Sequence, residues 1–562
     1  MVSRARLASC RRSNDHMPLC SSGFSSAASR RTENTGSARV STLSGRRGRR
    51  QHGLGDVRGH AGDGPDRMAR VRLAVLWLAT AGFAGASLMG LELVAFRLYA
   101  PYFGYSIYVW GSLISVIMGA LAGGYALGGV LADRWHTGHP MYGAILLSAV
   151  YQLLMLWMAR TVLLTLSAAG ELAGPGLATL AIFVPPMTLL AMVGPCVIRL
   201  LARAGHVGAA AGAVYAVSTA GGIVGVFLTS FVLVPQWGTR ATLEILCGLT
   251  AVLGAAGLSS RVVSGLVVLG ILGALSAVPG EAWPRGTVWV GESAYNLVRV
   301  EDRGTRRLLV LNDERSVHTI REEVTGWTGR YYDEFAVAPL LVHGRRVLVL
   351  GMGAGGSIRA TRMTAPDSEI DAVEIDPTVV DVASRFFDVR RDSRLRIHVG
   401  DARPWLARDQ GRYDLIHVDL YQGGPYVPFY LATVEFFELL RAHVAADGVL
   451  VLNVFDISRT REVLLAVGAT LRQVFPSVMV HTRGGEGAHI VFAFASTRSV
   501  DDVRERLRSA YGGAAVAELA RSAATEIAGL APPDGTPVFT DDHSNIDALT
   551  RSMIAARRTR AS

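Results

Sequence analysis

Lysine is absent from this chain of 562 residues, in which all 56 basic side chains are arginine. Neither a phosphate-binding loop with an essential lysine nor a Schiff-base lysine can therefore be present. Cysteine is scarce, and its four positions, Cys10, Cys20, Cys196 and Cys247, all lie in the N-terminal half. The C-terminal half thus has no disulfide framework or thiolate metal site. Its histidines lack metal-ligand spacing, so we expect no metal.

Apolar periodicity is missing from residues 1–67, which are rich in Ser, Gly and Arg. Such a segment cannot bury a core, so we predict a disordered basic tail, or an upstream extension of a chain that starts at Met68. The tail contains 13 Arg and 5 acidic residues, which is a net charge of +8 out of +10 for the chain. The basic balance therefore does not predict a folded module that binds nucleic acid.

Long apolar runs dominate residues 68–280. Most of them reach the roughly 20 residues that a helix needs to cross the hydrocarbon core of a bilayer. We predict a polytopic helical domain in the bacterial inner (cell) membrane, with about seven spans, near residues 73–96, 109–131, 141–166, 177–201, 209–234, 241–258 and 262–278.

Glycines and carboxylates follow four apolar strands of the C-terminal region. The first strand runs into glycines at Val347–Gly356, V-L-V-L-G-M-G-A-G-G, where missing side chains let a ligand approach the backbone. Glu374 ends the second strand, 23 residues after Gly351, a separation that suits a ribose diol. Asp401 and Asp419 follow the third and fourth strands. This pattern predicts an open α/β sheet that binds a nucleotide-type ligand along one edge.

These motifs resemble the spermidine synthase family of polyamine aminopropyltransferases, which have the class I S-adenosylmethionine-type fold. The specific matches are V-E-I-D-P at Val373–Pro377, G-D-A at Gly400–Ala402, Gly424-Pro425 after Asp419, and the helix start Glu435–Phe437. The segments 100–111 and 214–222 resemble membrane-fused homologues of that family. The resemblance implies a β hairpin region at 281–320, a Rossmann-like catalytic domain at 321–550 and a basic C-terminal tail at 551–562.

The resemblance also implies roles for individual residues. The co-substrate is decarboxylated S-adenosylmethionine, or S-adenosylmethionine itself. Its binding residues are Gly351, Gly353, Gly355, Glu374 for the ribose hydroxyls, Asp401 for the adenine amino group, and Asn296. The acceptor is a polyamine such as putrescine, with Tyr332, Glu334 and Gln422 as its binding residues. Asp419 is the catalytic residue, because a carboxylate can orient an attacking amine or remove its proton. Family members also form homo-oligomers.

Two positions depart from the family pattern, and they leave alternatives open. Ala354 stands where the glycine turn of the family has an aspartate, and Gln422 stands where its later loop has another. Both losses remove charge that would favour a cationic acceptor. One alternative is an S-adenosylmethionine-dependent methyltransferase on the same scaffold. Another is a polyamine transporter or sensor whose nucleoside-binding domain is not catalytic.

The placement of arginines bears on the orientation of the predicted spans in the membrane. One set of span ends contains Arg70, Arg72, Arg134, Arg199, Arg203 and Arg261, and the other contains Arg97 and Arg240. The positive-inside rule then puts the N-terminus in the cytoplasm, and seven spans would put the catalytic domain outside. An adenosyl sulfonium is not expected outside the cell. We therefore predict a cytoplasmic catalytic domain, with six or eight spans or an exception to the rule.

Glu92 and Arg97 are ionisable residues within or beside the first predicted span, and they are expected to pair with each other or to face a cavity.

Overall fold

A computed structural model describes residues 64–562, except residues 105, 203–205, 258–259, 281–282, 313–315, 343–344, 423, 483–486, 511 and 562. The tail predicted at 1–67 lies outside the described residues up to residue 63, as do Cys10 and Cys20. Residues from Gly64 onward form one compact unit.

Apolar helices form a bundle in the N-terminal part of this unit. They are α1 Gly64–Phe103, α2 Ile107–Arg134, α3 His139–Ser167, α4 Gly170–Ile182, α5 Val184–Ala191, α6 Val193–Leu201, α7 Val207–Leu228, α8 Val234–Ala256 and α9 Arg261–Ser276. A π-helical turn, Thr229–Leu233, joins α7 to α8. Proline at the start of α5 ends α4, because proline cannot donate to the preceding turn. Gly238, with a φ of 83°, breaks α8.

Five helical segments of the described chain are long and apolar enough to cross a membrane. They are Met68–Phe103, Ile107–Arg134, His139–Ser167, Val184–Leu201 and Val207–Ala256. The fifth and sixth predicted spans both fall in the last of these, on either side of Gly238, and the seventh falls in the shorter helix α9. The number of membrane spans stays a prediction.

The two ends of the bundle contact different parts of the chain. At one end, the Thr80 hydroxyl lies 3.3 Å from the Tyr142 hydroxyl, and Tyr142 packs against Gly257. At the other end, the Arg97 guanidinium lies 4.0 Å from the Glu292 carboxylate of the C-terminal domain. Thr80 and Arg97 are 17 residues apart in α1, which corresponds to about 26 Å along a helix.

The chain passes between these ends seven times over residues 64–276, apart from the undescribed positions 105, 203–205 and 258–259. The passes are α1, α2, α3, the broken helix α4–α6, α7, the part of α8 after Gly238, and α9. Contacts fix their directions; for example, α1 and α7 run parallel because Gly85 faces Ser218 and Gly90 faces Thr229. The start of α1 and the C-terminal domain therefore lie at opposite ends of the bundle.

This path also places the arginines of the bundle in two groups, one toward each end. Arg70, Arg72, Arg134, Arg199 and Arg261 lie toward the end away from the C-terminal domain, whereas Arg97, Arg160 and Arg240 lie toward the domain. Arg203 lies outside the described residues. A bundle that crosses a membrane along this path has the start of α1 and the C-terminal domain on opposite sides. With this path, the arginine rule and a cytoplasmic domain exclude each other, and the span number and orientation stay predictions.

The C-terminal part begins with a small antiparallel sheet. Its strands are β1 Thr287–Glu292, β2 Leu297–Arg303, β3 Arg306–Leu311 and β4 Val317–Glu322, paired in that order. The predicted β hairpin region is therefore a four-stranded sheet. Its inner face, which includes Val298, Val300 and Leu309, is buried in the core of the α/β domain.

An eight-stranded sheet forms the centre of the α/β domain. Its strands are β5 Arg346–Leu350, β6 Glu369–Glu374, β7 Leu395–Val399, β8 Tyr413–Val418, β9 Val444–Phe455, β10 Ser477–Thr482, β11 Ala488–Phe494 and the two-residue β12 Ala528–Gly529. The order is β12-β10-β11-β9-β8-β5-β6-β7, with β5 to β9 parallel and β11 antiparallel to both neighbours. The predicted class I S-adenosylmethionine-type fold is confirmed for this region.

Helices cover both faces of this sheet. They are α10 Gly356–Thr364, α11 Pro377–Phe386, α12 Ala402–Leu406, α13 Val434–His443, α14 Glu462–Leu471, α15 Val500–Arg508, α16 Ala514–Glu526 and α17 Ile546–Ala561. Strands covered on both faces are apolar without alternation, which explains the continuous run in β5. The α17 helix continues past residue 550, so residues 551–561 are part of a helix and not a separate tail.

Candidate active site

A cleft lies at the carboxyl ends of β5 to β8, where the strand order reverses about β5 and the small sheet covers the edge. Ligands bind at such reversal points because adjacent loops turn to opposite faces of the sheet. Among the predicted site residues, the cleft is lined by Asn296, Tyr332, Gly351, Gly353, Glu374, Asp401, Asp419 and Gln422. Gly355 and Glu334 are not among the lining residues.

The glycine turn after β5 requires glycine for two different reasons. Gly351, Gly353 and Gly355 have φ angles of 81°, 51° and 83°, which side chains disfavour. A side chain at Gly351 would also collide with the backbone carbonyl of Asp419. Gly351 therefore lets the tips of β5 and β8 approach each other, whereas Gly355 forms the N-cap of α10 beside Val389.

Glu374 at the end of β6 accepts hydrogen bonds from two backbone N–H groups. Its Oε2 accepts from Gly353 over 2.8 Å, and its Oε1 accepts from Asp376 over 3.1 Å. Burial raises the pKa of Glu374 to about 7, although these hydrogen bonds act in the opposite direction. The carboxylate is thus held in the cleft directly against the glycine turn.

Asp401 is the N-cap of the short helix α12. Its Oδ1 accepts from the Arg403 N–H over 2.9 Å, and its Oδ2 accepts from the Tyr430 hydroxyl over 2.8 Å. Each oxygen therefore has a donor within the protein, and a ligand amino group would share an oxygen with one of them. Tyr430 also lines the cleft, and the sequence analysis missed it.

Asp419 follows β8 and lies on the other side of the glycine turn. Its Oδ1 accepts from the Asn453 amide over 3.0 Å, and the Tyr331 hydroxyl lies 3.5 Å from its Oδ2. Burial raises the pKa of Asp419 to about 6, and both hydrogen bonds lower it. Sequence reasoning missed both partners, although Asn453 is the one polar residue in the apolar run V-L-V-L-N-V-F of β9.

Asn296 reaches the cleft from the turn between β1 and β2. Its amide donates to Asp376 Oδ2 over 2.9 Å, and the Ser293 hydroxyl donates to the same oxygen over 2.6 Å. Asn312 donates in turn to Asn296 Oδ1 over 2.8 Å. Asp376 therefore fixes the small sheet to the α/β domain, which is the structural use of the aspartate in V-E-I-D-P.

The three predicted acceptor-binding residues have different environments. The Tyr332 ring lines the cleft, while its hydroxyl donates to the Val317 carbonyl over 2.7 Å. Gln422 lines the cleft, and its N–H donates to the Tyr426 carbonyl over 2.9 Å. Glu334 is buried, with Oε2 3.2 Å from Nδ1 of His481. The structure therefore gives Glu334 a packing environment away from the cleft.

Ala354 is fully buried, and its N–H donates to the Thr319 hydroxyl over 3.1 Å. Thr319 and its neighbour His318 line the cleft. Burial lowers the pKa of His318 to about 4, so this side chain is neutral at pH 7. Among the described residues, no group of three or more His, Cys, Asp or Glu side chains is placed to hold a metal ion.

Residues 330–499 match the family model described as spermine/spermidine synthase domain. The match covers this part of the chain and less than half of its length. The matched spermine/spermidine synthase domain contains the glycine turn, Glu374, Asp401, Asp419 and Asn453. It begins after the four-stranded sheet, whereas the resemblance seen in the sequence also implied the β hairpin region at 281–320.

Individual relatives match parts of the same region. "Probable polyamine aminopropyl transferase" of Bifidobacterium longum (strain NCC 2705) is 36% identical over 177 residues, 31% of this chain and 39% of the relative. "Polyamine aminopropyltransferase" of Vibrio vulnificus (strain CMCP6) is 35% identical over 149 residues, 26% and 48% of the two chains. "eEF1A lysine and N-terminal methyltransferase" of Mus musculus is 30% identical over 156 residues, which are 26% of this chain and 22% of the relative. The chain thus spans less than half the length of these three relatives.

Proposed function

We propose that the α/β domain transfers the aminopropyl group of decarboxylated S-adenosylmethionine to a polyamine acceptor such as putrescine. The observation that carries this proposal is the placement of Asp419. It lies beside the glycine turn, in the same cleft as Glu374 and Asp401, with an elevated pKa of about 6. The family match and the names of two relatives support the same activity.

The reaction is a displacement at carbon. A neutral amine attacks the aminopropyl carbon bonded to the sulfonium, the new C–N bond forms, and the C–S bond breaks with its electron pair moving to sulfur. The products are an alkylated amine and a neutral thioether nucleoside. The nitrogen becomes cationic and releases a proton. Asp419 is ionised at pH 7 with a pKa of about 6, so it can orient the amine and accept that proton.

The residues of the cleft fit the nucleoside part of the co-substrate. Gly351 and Gly353 expose their backbone to the cleft, where side chains would occupy the room for a ligand. A side chain at Gly353, for example, would come within 3.0 Å of the Thr319 hydroxyl, which also lines the cleft. The Glu374 carboxylate would accept from the ribose hydroxyls. Asp401 and Tyr430 would bind the base at the next strand end, with Asn296 closing the cleft from the small sheet.

Titration of the detergent-purified protein with decarboxylated S-adenosylmethionine and with S-adenosylmethionine tests this proposal. Product masses from a diamine mixture are measured in the same experiment. We expect tighter binding of the decarboxylated form and an aminopropylated diamine. Tighter binding of S-adenosylmethionine with a methylated product would establish a methyltransferase instead, which the alanine at position 354 and the methyltransferase relative favour.

We also propose that the bundle lies in the cell membrane, with the α/β domain in the cytoplasm. Its outer surface is apolar, as the exposure of Phe227, Phe231 and Leu266 illustrates, and an exposed apolar surface of this kind suits lipid. A cytoplasmic domain is needed because the co-substrate is made there. By the path of the chain, the N-terminal end of α1 is then outside, contrary to the arginine pattern.

Reporter fusions distinguish the two orientations. A reporter that is active only in the cytoplasm should be active when it is fused after α17 and inactive when it is fused before α1. The reverse result would agree with the positive-inside rule. It would also contradict the proposed activity, because the cleft would then face a compartment without its co-substrate.

A further inference from the structure

The domain-facing end of α1 contacts two loops that contribute to opposite walls of the cleft. Arg97 donates a hydrogen bond to the Ser293 carbonyl, in the turn that contains Tyr295 and Asn296 of one wall. Directly after the end of α1, Gly104 lies against the ring of Tyr426, in the loop that follows Gln422 of the other wall. This helix end therefore contacts the loops of both walls.

The Arg97 contact is largely shielded from solvent and shared with another helix. The side chains of Arg97 and Glu292 are 14% and 19% exposed, so solvent screens this ion pair only in part. The Glu292 carboxylate also accepts from the Thr239 N–H over 2.7 Å and from the Thr239 hydroxyl. Thr239 begins the part of α8 that follows the break at Gly238. Glu292 thus joins α1 and α8 at the surface of the domain.

Hydrogen bonds continue from this junction to the carboxylate at the end of β6. The Ser293 hydroxyl donates to Asp376 and accepts from the Asn296 N–H over 2.9 Å. The Asn296 amide donates to the same Asp376 oxygen, and the Asp376 N–H donates to Glu374. Three short steps therefore separate the Arg97 guanidinium from Glu374.

We propose that Arg97 and Glu292 are positioning residues for the cleft, and that the helix bundle sets its affinity for the nucleoside by fixing the turn 293–296. Without the Arg97 hydrogen bond, the turn loses one of its contacts with the bundle and can move away from Asp376. Nucleoside binding then includes the cost of ordering the turn, whereas the step at Asp419 is unaffected. Only the nucleoside part of this inference rests on the proposed function.

Hydrogen exchange of the full-length protein in detergent tests the positioning role without any ligand. Arg97→Gln removes the charge, Arg97→Lys keeps a donor, and Arg199→Gln breaks a matched pair with Asp133 at the far end of the bundle. We expect amide exchange in residues 293–297 to become about tenfold faster in Arg97→Gln, since the turn loses its hydrogen bond to the bundle. Arg97→Lys should lie close to wild type, and Arg199→Gln should equal it.

Binding of 5′-methylthioadenosine, the nucleoside product, provides the second measurement. Its Kd should rise about tenfold in Arg97→Gln, with kcat at saturating co-substrate within about twofold of wild type. Unchanged exchange and unchanged Kd in Arg97→Gln, or equal changes in Arg199→Gln, would overturn the inference. If the wild-type protein does not bind the nucleoside, the proposed function fails, and the exchange rates alone then decide whether Arg97 positions the turn.

Discussion

The helical bundle and the α/β domain both depend on glycine, but they use it differently. In the bundle, a side chain at Gly221 or Gly225 of α7 would collide with the backbone of α1, while the glycine itself is helical. In the domain, Gly351 and Gly353 have positive φ angles and border a cleft. The first use brings two helices together, and the second exposes backbone to a ligand.

This difference shows what identifies a binding site. Glycine alone does not, because the bundle contains more glycine-dependent contacts than the cleft. The carboxylates at neighbouring strand ends do, because burial raises the pKa of both Glu374 and Asp419 and neither has a cationic partner in the hydrogen bonds described. Buried carboxylates with raised pKa values are typical of functional sites.

The strongest test of this comparison removes the charge and leaves the glycines unchanged. In Asp419→Asn, the amine can no longer transfer its proton to residue 419, so turnover should fall by about 10² to 10⁴. The Kd of 5′-methylthioadenosine should change by less than about threefold, because the proposed nucleoside contacts lie at the ends of β5 to β7. Steady-state kinetics and calorimetry on the same preparation measure both quantities.

Asp447→Asn is the matched control, since Asp447 is an exposed aspartate on β9 whose side chain is 86% exposed. It should leave turnover and binding unchanged. Undiminished turnover in Asp419→Asn would exclude Asp419 as base or amine anchor. A loss of nucleoside binding that matches the loss of turnover would assign it a binding role instead.

The second test compares one alanine substitution in each region. Gly351→Ala introduces a side chain at a φ of 81° and against the Asp419 carbonyl, so we expect nucleoside affinity to fall at least about tenfold through strain of about 1–2 kcal/mol or more. Gly221→Ala would meet the backbone of Gly82 and should lower the thermal stability of the bundle. Calorimetry and thermal unfolding are measured for both variants.

The comparison fails if both variants change the same quantity. Suppose that folded Gly221→Ala binds the nucleoside more weakly than wild type while Gly351→Ala binds it as tightly as wild type. Helix packing would then control the cleft more directly than the glycine turn does. The expected result is the opposite pattern, with binding lost in one variant and stability lost in the other.

The sequence predicted the strand tips well and the supporting contacts poorly. Gly351, Glu374, Asp401 and Asp419 could be found because each follows an apolar strand, and parallel strands bring their carboxyl ends to one edge. Tyr331 and Tyr430 could not, because they lie in 3₁₀ turns and loops whose path depends on tertiary packing. The environment of Glu334 could not be predicted for the same reason, since only the fold shows that it faces His481.

The bundle shows the same limit. Hydropathy predicted apolar helices on either side of Gly238, but it did not predict that Arg97 contacts Glu292 and Ser293 of the C-terminal domain. Positive φ and contacts between residues 196 positions apart, as for Arg97 and Ser293, are not local properties of a sequence.

The pH dependence of kcat/KM sharpens the assignment of the two carboxylates. Asp419 and Glu374 have pKa values raised to about 6 and about 7, and both act in the ionised form in the proposed reaction. We therefore expect kcat/KM to fall as pH decreases below 7, about tenfold per unit at first and more steeply below pH 6. In Glu374→Gln only the inflection near pH 6 should remain. A flat profile between pH 5 and 8 would contradict both assignments.

The smallest expected effect concerns stability, and it separates the cleft carboxylate from the carboxylate at the bundle junction. The pKa of Asp419 rises from 3.8 to about 6 on folding, so its protonated form stabilises the native state below pH 4 and this contribution is lost as pH rises through 6. An asparagine side chain cannot ionise, so Asp419→Asn should be more stable than wild type at pH 8, by on the order of 1 kcal/mol, and equal to it at pH 4.

Glu292 provides the contrast, because its carboxylate accepts from Thr239 and lies near Arg97. Glu292→Gln weakens both contacts and should lower thermal stability at pH 8, where Asp419→Asn raises it. Thermal unfolding in detergent at pH 4 and pH 8 measures both variants. A gain in Asp419→Asn that is as large at pH 4 as at pH 8 would show that its cause is not the buried charge. Opposite signs at pH 8 would show that one carboxylate is retained for chemistry at the expense of stability, while the other holds the two parts of the molecule together.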